Sequence, residues 1–151
     1  MQKEFMISII DGQGGGIGRS LVSKLRKQID KDSGITICAL GTNSTATGNM
    51  IKSGADIGAT GENAIKRTVL QSDLILGPIA IIVANSMMGE LTPEMAQAVS
   101  TCSAHKFLVP LNRCSITLAF DMSAPTESYI DICVKQALEY LEDLKKEPST
   151  K

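Results

Sequence analysis

Aromatic residues are scarce in this sequence: phenylalanine, tyrosine and tryptophan together make up 3% of the chain, and tryptophan is absent. The core therefore has to be built from isoleucine, valine, leucine, methionine and alanine. An excess of positive charge is also missing, because the formal net charge is −1. Proteins that bind nucleic acid present a basic surface, so no nucleic-acid partner is predicted.

Residues that ligate metals are few and widely spaced. The chain has one histidine, His105, and four cysteines that form no C-x-x-C pair. A zinc site or a disulfide framework needs such residues at short, regular spacings. The sequence therefore predicts no metal site and no disulfides, and we expect the cysteines to be reduced thiols.

Long apolar runs are absent as well. The most apolar stretch, 74–88, is interrupted by Gly77-Pro78 and Asn85-Ser86 and is shorter than the roughly 20 residues of a membrane-spanning helix. The first residues lack the apolar region and cleavage site of a secretory signal. We therefore expect a cytoplasmic protein with no membrane partner.

The length and the composition are typical of one globular domain. The chain has 151 residues, of which 43% are apolar and 21% are charged. These values favour a single domain over residues 1–151, with a frayed tail after about residue 146.

Short β-branched runs alternate with helical periodicities along the chain. Strands are predicted at 5–10, 35–40, 74–76, 106–111 and 115–120, and helices at 17–29, 46–52, 62–71, from 93 onward with Thr92 as cap, and 126–145. The residues from Gly54 to Gly61 are predicted to be a glycine-rich connection. Ile79–Ala84 fits either a strand or a helix, and Pro78 favours the helix. This alternation predicts a mostly parallel sheet in a three-layer Rossmann-like or flavodoxin-like α/β domain.

The strongest functional signal lies between the first strand and the first helix, where Asp11 is followed by five glycines in seven positions. Glycines let the backbone approach an anion, and the N–H groups at a helix start can bind it. A turn needed only for close packing would not require so many glycines. The sequence therefore predicts a site for a phosphate-bearing ligand, made by Asp11, Gly12, Gln13, Gly14, Gly15, Gly16, Ile17 and Gly18.

This glycine loop, Gly12–Gly18, resembles the T-G-x-x-x-G-x-G loop of short-chain dehydrogenases, with Gly12, Gly16 and Gly18 at the three glycines. The resemblance favours NAD(P) as the ligand. Asp11 replaces the usual threonine. The Y-x-x-x-K catalytic pair of that family is missing, because no lysine follows Tyr129 or Tyr140 at the fourth position. Short-chain dehydrogenase chemistry is therefore not predicted.

A second interpretation aligns Gly15–Ser20 with the end of a P-loop. Ser20 would then be the magnesium-binding hydroxyl, and Arg19 would replace the phosphate-binding lysine, although arginine is not equivalent there. This alternative predicts a protein that binds or hydrolyses a nucleotide. A third interpretation is a sensing module without catalysis, because no acid–base pair is recognisable, and whether the chain is an enzyme stays open.

Further site residues are expected where other parallel strands end, because ligands of open α/β sheets bind beyond the carboxyl ends of the strands. Gly41, Thr42 and Asn43 follow the second strand, and Asn112 and Arg113 follow the run 106–111. Arg113 could pair with a phosphate or neutralise Asp11. No acidic residue or arginine follows the second strand, so the sequence does not choose between NAD and NADP.

The C-terminal helix carries apolar residues on more than one face. Tyr129, Ile132, Leu138 and Tyr140 lie beyond its main apolar stripe. Such a helix has more apolar surface than one core-facing side explains, so we expect a homodimer.

Over its full length the chain resembles a family of small bacterial proteins described as a domain of unknown function. Four blocks carry the resemblance: residues 10–18, 39–43, 58–65 and 89–93. The resemblance implies a cytosolic bacterial protein and supplies no reaction.

Overall fold

A computed structural model describes residues 3–148 of the chain. Its centre is one five-stranded sheet in which every neighbouring pair is parallel. The strands stand in the order β3-β2-β1-β4-β5. Their bounds are β1 (Phe5–Asp11), β2 (Ile35–Gly41), β3 (Ile57–Thr60), β4 (Leu74–Pro78) and β5 (His105–Val109).

Helices cover both faces of the sheet. The α-helices are α1 (Gly16–Gln28), α2 (Ser44–Lys52), α3 (Glu62–Thr68), α4 (Pro93–Thr101) and α5 (Thr126–Lys146), and short 3-10 helices lie at Val69–Gln71, Ile79–Ile82 and Met87–Gly89. Side chains of α1, α2 and α5 share one core cluster, and those of α3 and α4 share another on the opposite face. The predicted three-layer α/β domain is confirmed.

Strand β1 shows why the sheet is buried on both sides. Phe5, Ile7 and Ile9 face the cluster under α1 and α5, whereas Ile10 belongs to the cluster under α3 and α4. A parallel strand between two helical layers needs apolar residues on both faces. Burying one such side chain completely contributes about 1.5–3 kcal/mol, so the continuous apolar run of β1 specifies the central strand.

The strand order has one reversal. β1 pairs with β2 on one side and with β4 on the other, while β3 lies outside β2. This order is that of a Rossmann sheet without its sixth strand, and it creates a crevice where the connections leave β1 and β4 in opposite directions. Ligands of open α/β sheets bind at such a crevice, so the fold predicts a binding site at the carboxyl ends of β1 and β4.

Two of the predicted elements are wrong. Residues 115–120 form no strand; they belong to an irregular segment in which Ile116 N donates to Arg113 O at 3.0 Å and Leu118 N donates to Asn112 Oδ1 at 2.9 Å. The predicted connection from Gly54 to Gly61 contains β3, a four-residue strand that is largely exposed at the edge of the sheet. A periodicity argument cannot detect it, because it has only four residues and one of them is Gly58.

The ambiguous segment after β4 is neither a strand nor a full helix. A 3-10 helix covers Ile79–Ile82 and Val83 returns to an extended conformation. The preference for a helix was therefore right for four residues only. Pro78 precedes this helix and ends β4, because proline has no N–H to continue a strand ladder.

The C-terminal helix uses most of its additional apolar residues within the chain. Tyr129, Leu138 and Tyr140 are half-buried against the core cluster of α1 and α5. Ile132 is 50% exposed. The basis for expecting a homodimer is thus reduced from four residues to one. The tail expected to be frayed after about residue 146 begins where α5 ends, at Lys146, and its residues 149–151 lie outside the described residues.

Within residues 3–148, none of the helices combines the length and the apolar character needed to cross a membrane.

Candidate functional site

Two adjoining cavities lie at the crevice. The first, of about 270 Å³, is bounded by the glycine loop, by the segment after β4 and by the segment after β5. The second, of about 360 Å³, lies between the glycine loop, Arg113 and the start of α5. Both cavities are lined by the same six residues, Asp11, Gly12, Gln13, Ile17, Leu111 and Arg113. The sequence-predicted loop and Arg113 therefore meet at one place.

Asp11 holds the glycine loop in shape. It is the last residue of β1 and only 5% exposed. Its Oδ1 accepts from Gly12 N at 2.8 Å and its Oδ2 accepts from Gly18 N at 2.7 Å. Burial raises the pKa of the Asp11 carboxyl, although the hydrogen bonds from Gly18 and Gly12 act in the opposite direction. Asp11 thus occupies one of the N–H groups at the start of α1 that a ligand would otherwise use.

The glycines of the loop have different roles. Gly15 has a φ of 70° and lies so close to α2 that a β-carbon would be 2.9 Å from the Cα of Ala46. A β-carbon at Gly18 would lie 2.8 Å from that of Asp11. Gly14 and Gly16 have open space instead. Gly18, rather than Gly16, is therefore the glycine that close packing against the first strand requires.

Two glycines of the loop have N–H groups that are available to a ligand. Within the described part of the chain, the N–H groups of Gly14 and Gly16 have no hydrogen-bond acceptor, whereas Gly15 N donates to Gly12 O at 2.9 Å. The loop is anchored from outside by Asn49, whose Nδ2 donates to Gly14 O at 3.0 Å. Both free groups belong to residues that line the second cavity.

Glu90 is a site residue that the sequence reasoning missed. Its Oε1 accepts from Gln13 N at 3.0 Å, from Thr42 Oγ1 at 2.8 Å and from Asn43 Nδ2 at 2.6 Å. Burial opposes ionisation, but these three hydrogen bonds outweigh it and lower the pKa of the Glu90 carboxyl. No local pattern could have revealed this residue, because its partners lie 47 to 77 positions away.

The residues after β2 are consequently occupied by the protein itself. Thr42 and Asn43 bind Glu90, and Asn43 also caps α2 by accepting from Ala46 N at 2.9 Å. Gly41 is the last residue of β2 and packs against Thr47. None of these three residues lines the two cavities. The structure therefore places them outside both cavities, and their predicted contact with a ligand stays a prediction.

Of the pair after β5, only Arg113 reaches the cavities. Arg113 is exposed and lines both of them, and among residues 3–148 no carboxylate forms an ion pair with it. The suggested neutralisation of Asp11 is therefore not observed. Asn112 instead accepts from Leu118 N and lines neither cavity. Its side chain stabilises the irregular segment after β5, and its predicted contact with a ligand stays a prediction.

The P-loop interpretation does not fit the geometry. Helix α1 begins at Gly16, so Arg19 and Ser20 are its fourth and fifth residues. Ser20 Oγ donates to Glu127 Oε1 at 2.8 Å and thereby connects α1 to α5. The hydroxyl intended for magnesium points to another helix, because the register of α1 places it about one turn beyond the loop.

Left-handed backbone conformations occur on two walls of the first cavity. Met87 and Met88 have φ values of 56° and 55°, and Cys114 and Ser115 both have 59°. Such conformations cost of order 1–3 kcal/mol for non-glycine residues and persist only where the surroundings enforce them. The two segments beside the first cavity therefore have defined, strained shapes.

No curated protein matches the chain. Among solved structures, a dodecameric FMN-dependent UbiX-like decarboxylase from Escherichia coli O157:H7 is similar at 14% sequence identity and a TM-score of 0.45, over 87% of this chain and 74% of its own. At this distance the similarity assigns no ligand and no residue role. A family model described as "Domain of unknown function (DUF3842)" matches residues 6–142, and the chain belongs to this family.

Proposed function

We propose that the chain binds a phosphate-bearing small molecule at the crevice beyond β1 and β4. The phosphate would lie between the N–H groups of Gly14 and Gly16 and the guanidinium of Arg113. One observation carries this proposal: Gly14 and Gly16, whose N–H groups have no acceptor among residues 3–148, line the same cavity as Arg113, which forms no ion pair with those residues. A helix start carries about half a positive charge, and arginine matches the geometry of phosphate oxygens.

The local charges favour one phosphate rather than several. Arg113 and the start of α1 attract an anion, whereas Asp11, Glu90 and Glu127, which lines the second cavity, repel it. Both oxygens of Asp11 accept hydrogen bonds from the loop, and one oxygen of Glu90 accepts three. These bonds partly compensate the charges of Asp11 and Glu90. Glu127 is paired with Lys24 at 3.1 Å, and Arg113 is a cation that lines both cavities.

A more specific form of this proposal is that the phosphate-bearing ligand is NAD(P), which the spacing of the glycines favours. In Rossmann sites the adenosine half lies beyond β2, where an acidic residue binds the ribose. Here a β-carbon at Gly12 would be 2.5 Å from the sulfur of Met87, and Glu90 holds Thr42 and Asn43. NAD(P) would have to displace Met87 and Glu90 or bind its ribose to the Glu90 carboxylate. A mononucleotide-sized ligand requires neither change.

A thermal-shift panel of inorganic phosphate, AMP, NAD, NADP and ATP with and without magnesium tests the proposal. A ligand at 100 times its Kd adds about 2.7 kcal/mol, which raises the Tm of a domain of this size by several degrees. We expect inorganic phosphate and AMP, which carry one phosphate group each, to raise the Tm without magnesium. If no member changes the Tm, the proposal fails.

Gly16→Val locates the site. The β-carbon position at Gly16 is open, so the variant should fold, while the branched side chain would occupy the place of the phosphate. The matched control is Gly48→Val, because Gly48 lies in α2, has equally open space and lines neither cavity. Ligand binding should be lost in Gly16→Val and kept in Gly48→Val. Wild-type affinity in folded Gly16→Val would remove the loop from the site.

Arg113→Lys tests the contribution of the guanidinium. Lysine keeps the charge but not the paired geometry, so we expect a loss of about tenfold or more in affinity. Arg67→Lys, an exposed change in α3, is the control. Unchanged affinity in both Arg113→Lys and Arg113→Ala would exclude Arg113 from the site.

A homodimer is the finer proposal on assembly. Support comes from the exposed Ile132 on α5 and from the open edge of β3, where Ile57 is 49% exposed. Sedimentation equilibrium measures the mass directly, and a monomer at micromolar concentration would contradict this proposal. The cytoplasmic location and the bacterial source stay predictions from the sequence.

A further inference from the structure

The first cavity is chemically unlike the second. Its walls are mostly apolar, with Pro78, Ile79 and Val83 after β4 on one side and Leu111 and Ile116 after β5 on the other. The second cavity is lined by Gly14, Gly15 and Gly16 and by polar side chains at the start of α5. A ligand that lies across both would therefore meet N–H groups at one end and hydrocarbon at the other.

The first cavity has four polar side chains, those of Asp11, Gln13, Arg113 and Cys114, and the proposed phosphate takes Arg113. Both carboxylate oxygens of Asp11 already accept hydrogen bonds from the loop. Gln13 is exposed at the rim, and Cys114 offers a thiol, which is a weak hydrogen-bonding group. A sugar in this cavity would lose hydrogen bonds to water and gain few from protein, and that loss disfavours binding.

The shape of this cavity is fixed by the backbone. Met87 and Cys114, which line it, both have left-handed conformations, and Met87 is packed against Gly12. An apolar cavity with set walls selects a ligand by its size and apolar surface. Its volume of about 270 Å³ is enough for a ring or a short branched hydrocarbon and lies at the small end of ligand sites.

We propose that the ligand is a phosphate ester whose organic body is an apolar ring or branched hydrocarbon, seated in the first cavity, with its phosphate in the second beside Arg113. This inference rests on the proposed phosphate site and adds the chemical class of the remainder of the ligand. The body extends toward β4 and β5 and away from β2, where Glu90 and Met87 fill the space.

Isothermal titration of wild-type protein with phenyl phosphate, inorganic phosphate and ribose 5-phosphate tests the inference. All three probes carry phosphate, and only phenyl phosphate adds an apolar ring. Burying the ring in an apolar cavity should raise the affinity about tenfold or more over that of a ligand without the ring. We therefore expect phenyl phosphate to bind at least about tenfold more tightly than both other probes.

Ala80→Leu locates the ring. Ala80 lines the first cavity, and a larger side chain there would fill it, whereas Ala84 is exposed and lines neither cavity. Ala80→Leu should remove the preference for phenyl phosphate and leave the affinity for inorganic phosphate unchanged. Ala84→Leu should keep the preference, and the Tm of each variant reports whether it is folded.

The titrations distinguish failure of the apolar-body inference from failure of the proposed phosphate site. Equal affinities for phenyl phosphate and inorganic phosphate, or tightest binding of ribose 5-phosphate, overturn the apolar body and leave the phosphate site intact. Binding of none of the three probes overturns the phosphate site and this inference together. If Ala80→Leu does not fold, the comparison of the probes on wild-type protein still decides.

Discussion

The carboxylate of Glu90 accepts a hydrogen bond from the hydroxyl of Thr42 at 2.8 Å, although the two residues lie 48 positions apart. The same oxygen accepts from Gln13 N and from Asn43 Nδ2. One carboxylate thus connects the segments after β1, β2 and β4. Backbone N–H, hydroxyl and amide donors of this kind can bind the phosphate of a ligand. In this conformation they bind the Glu90 carboxylate instead.

Glu90→Gln should destabilise the protein by about 1–2 kcal/mol at pH 7. Glutamine can still accept hydrogen bonds, but bonds to a charged acceptor are stronger than those to a neutral one. Urea denaturation measures the change. The matched control is Glu139→Gln, an exposed site on α5, where we expect a change within about 0.5 kcal/mol. Equal effects of the two substitutions would show that the Glu90 hydrogen bonds contribute nothing.

The contribution of Glu90 should also depend on pH. Hydrogen bonds lower its pKa below the ordinary value of 4.5, so the folded protein binds the proton less readily than the unfolded chain. The stabilisation is complete above pH 4.5 and is lost as the pH falls through the lower pKa. The difference in unfolding free energy between wild type and Glu90→Gln should therefore shrink on acidification. A constant difference from neutral to strongly acidic pH contradicts this.

Asp11 should show the opposite dependence. Burial raises its pKa above the ordinary 3.8, so the folded state holds the proton more tightly than the unfolded chain. Below pH 3.8 this costs nothing, and as the pH rises through the raised pKa the ionised carboxylate lowers stability. Relative to Asp11→Asn, wild type should lose stability over this interval. A gain instead, in urea titrations at several pH values, would mean that the N–H donors outweigh burial.

Gly18→Ala and Gly16→Ala should differ in sign or in size. A β-carbon at Gly18 would lie 2.6 Å from the sulfur of Met50 and 2.8 Å from the β-carbon of Asp11, so we expect a loss of about 1–3 kcal/mol. At Gly16 there is open space, and alanine is favoured over glycine in helices by up to about 1 kcal/mol. Denaturation of both variants measures the contrast. A larger loss in Gly16→Ala would refute these packing roles.

The four thiols should react in a defined order. Burial raises the pKa of Cys133 to about 12 and that of Cys38 to about 11, whereas Cys114 is exposed and Cys102 is half-buried. Because the thiolate is the reactive form, Cys38 and Cys133 should react with 5,5′-dithiobis(2-nitrobenzoate) only after unfolding. The fastest phase should disappear in Cys114→Ser. Its persistence in that variant would contradict the assignment.

Local patterns were sufficient for the parts of the fold that are long and periodic. The run Phe5–Ile10, the glycine loop and the helical period from Ile17 predicted β1, the crevice and α1. Thr92 was also predicted as a cap, and its Oγ1 accepts from Met95 N at 3.2 Å. In these cases the residue's own neighbours in sequence provide the forces that fix its conformation.

Other features depend on partners far away in sequence. Residues 115–120 have a strand-like composition, but they do not pair with β5, whose ladder within residues 3–148 is made with β4. The short β3 exists because β2 offers it a ladder from Cys38 to Gly41. Glu90 has no local signal at all. These three features could not be predicted for the same reason: contacts between residues far apart in sequence determine each of them.

The strand order also bears on how the chain reaches its folded state. All pairs are parallel, so every one must close a crossover before it gains hydrogen bonds. The bonds of Asp11 span one and seven residues, whereas those of Glu90 span 47 to 77. The glycine loop can therefore form together with β1 and α1, whereas the hydrogen bonds of Glu90 to the segments after β1 and β2 form late. The crevice has one early, local side and one late, long-range side, and thermal fluctuations that open it will begin at the second.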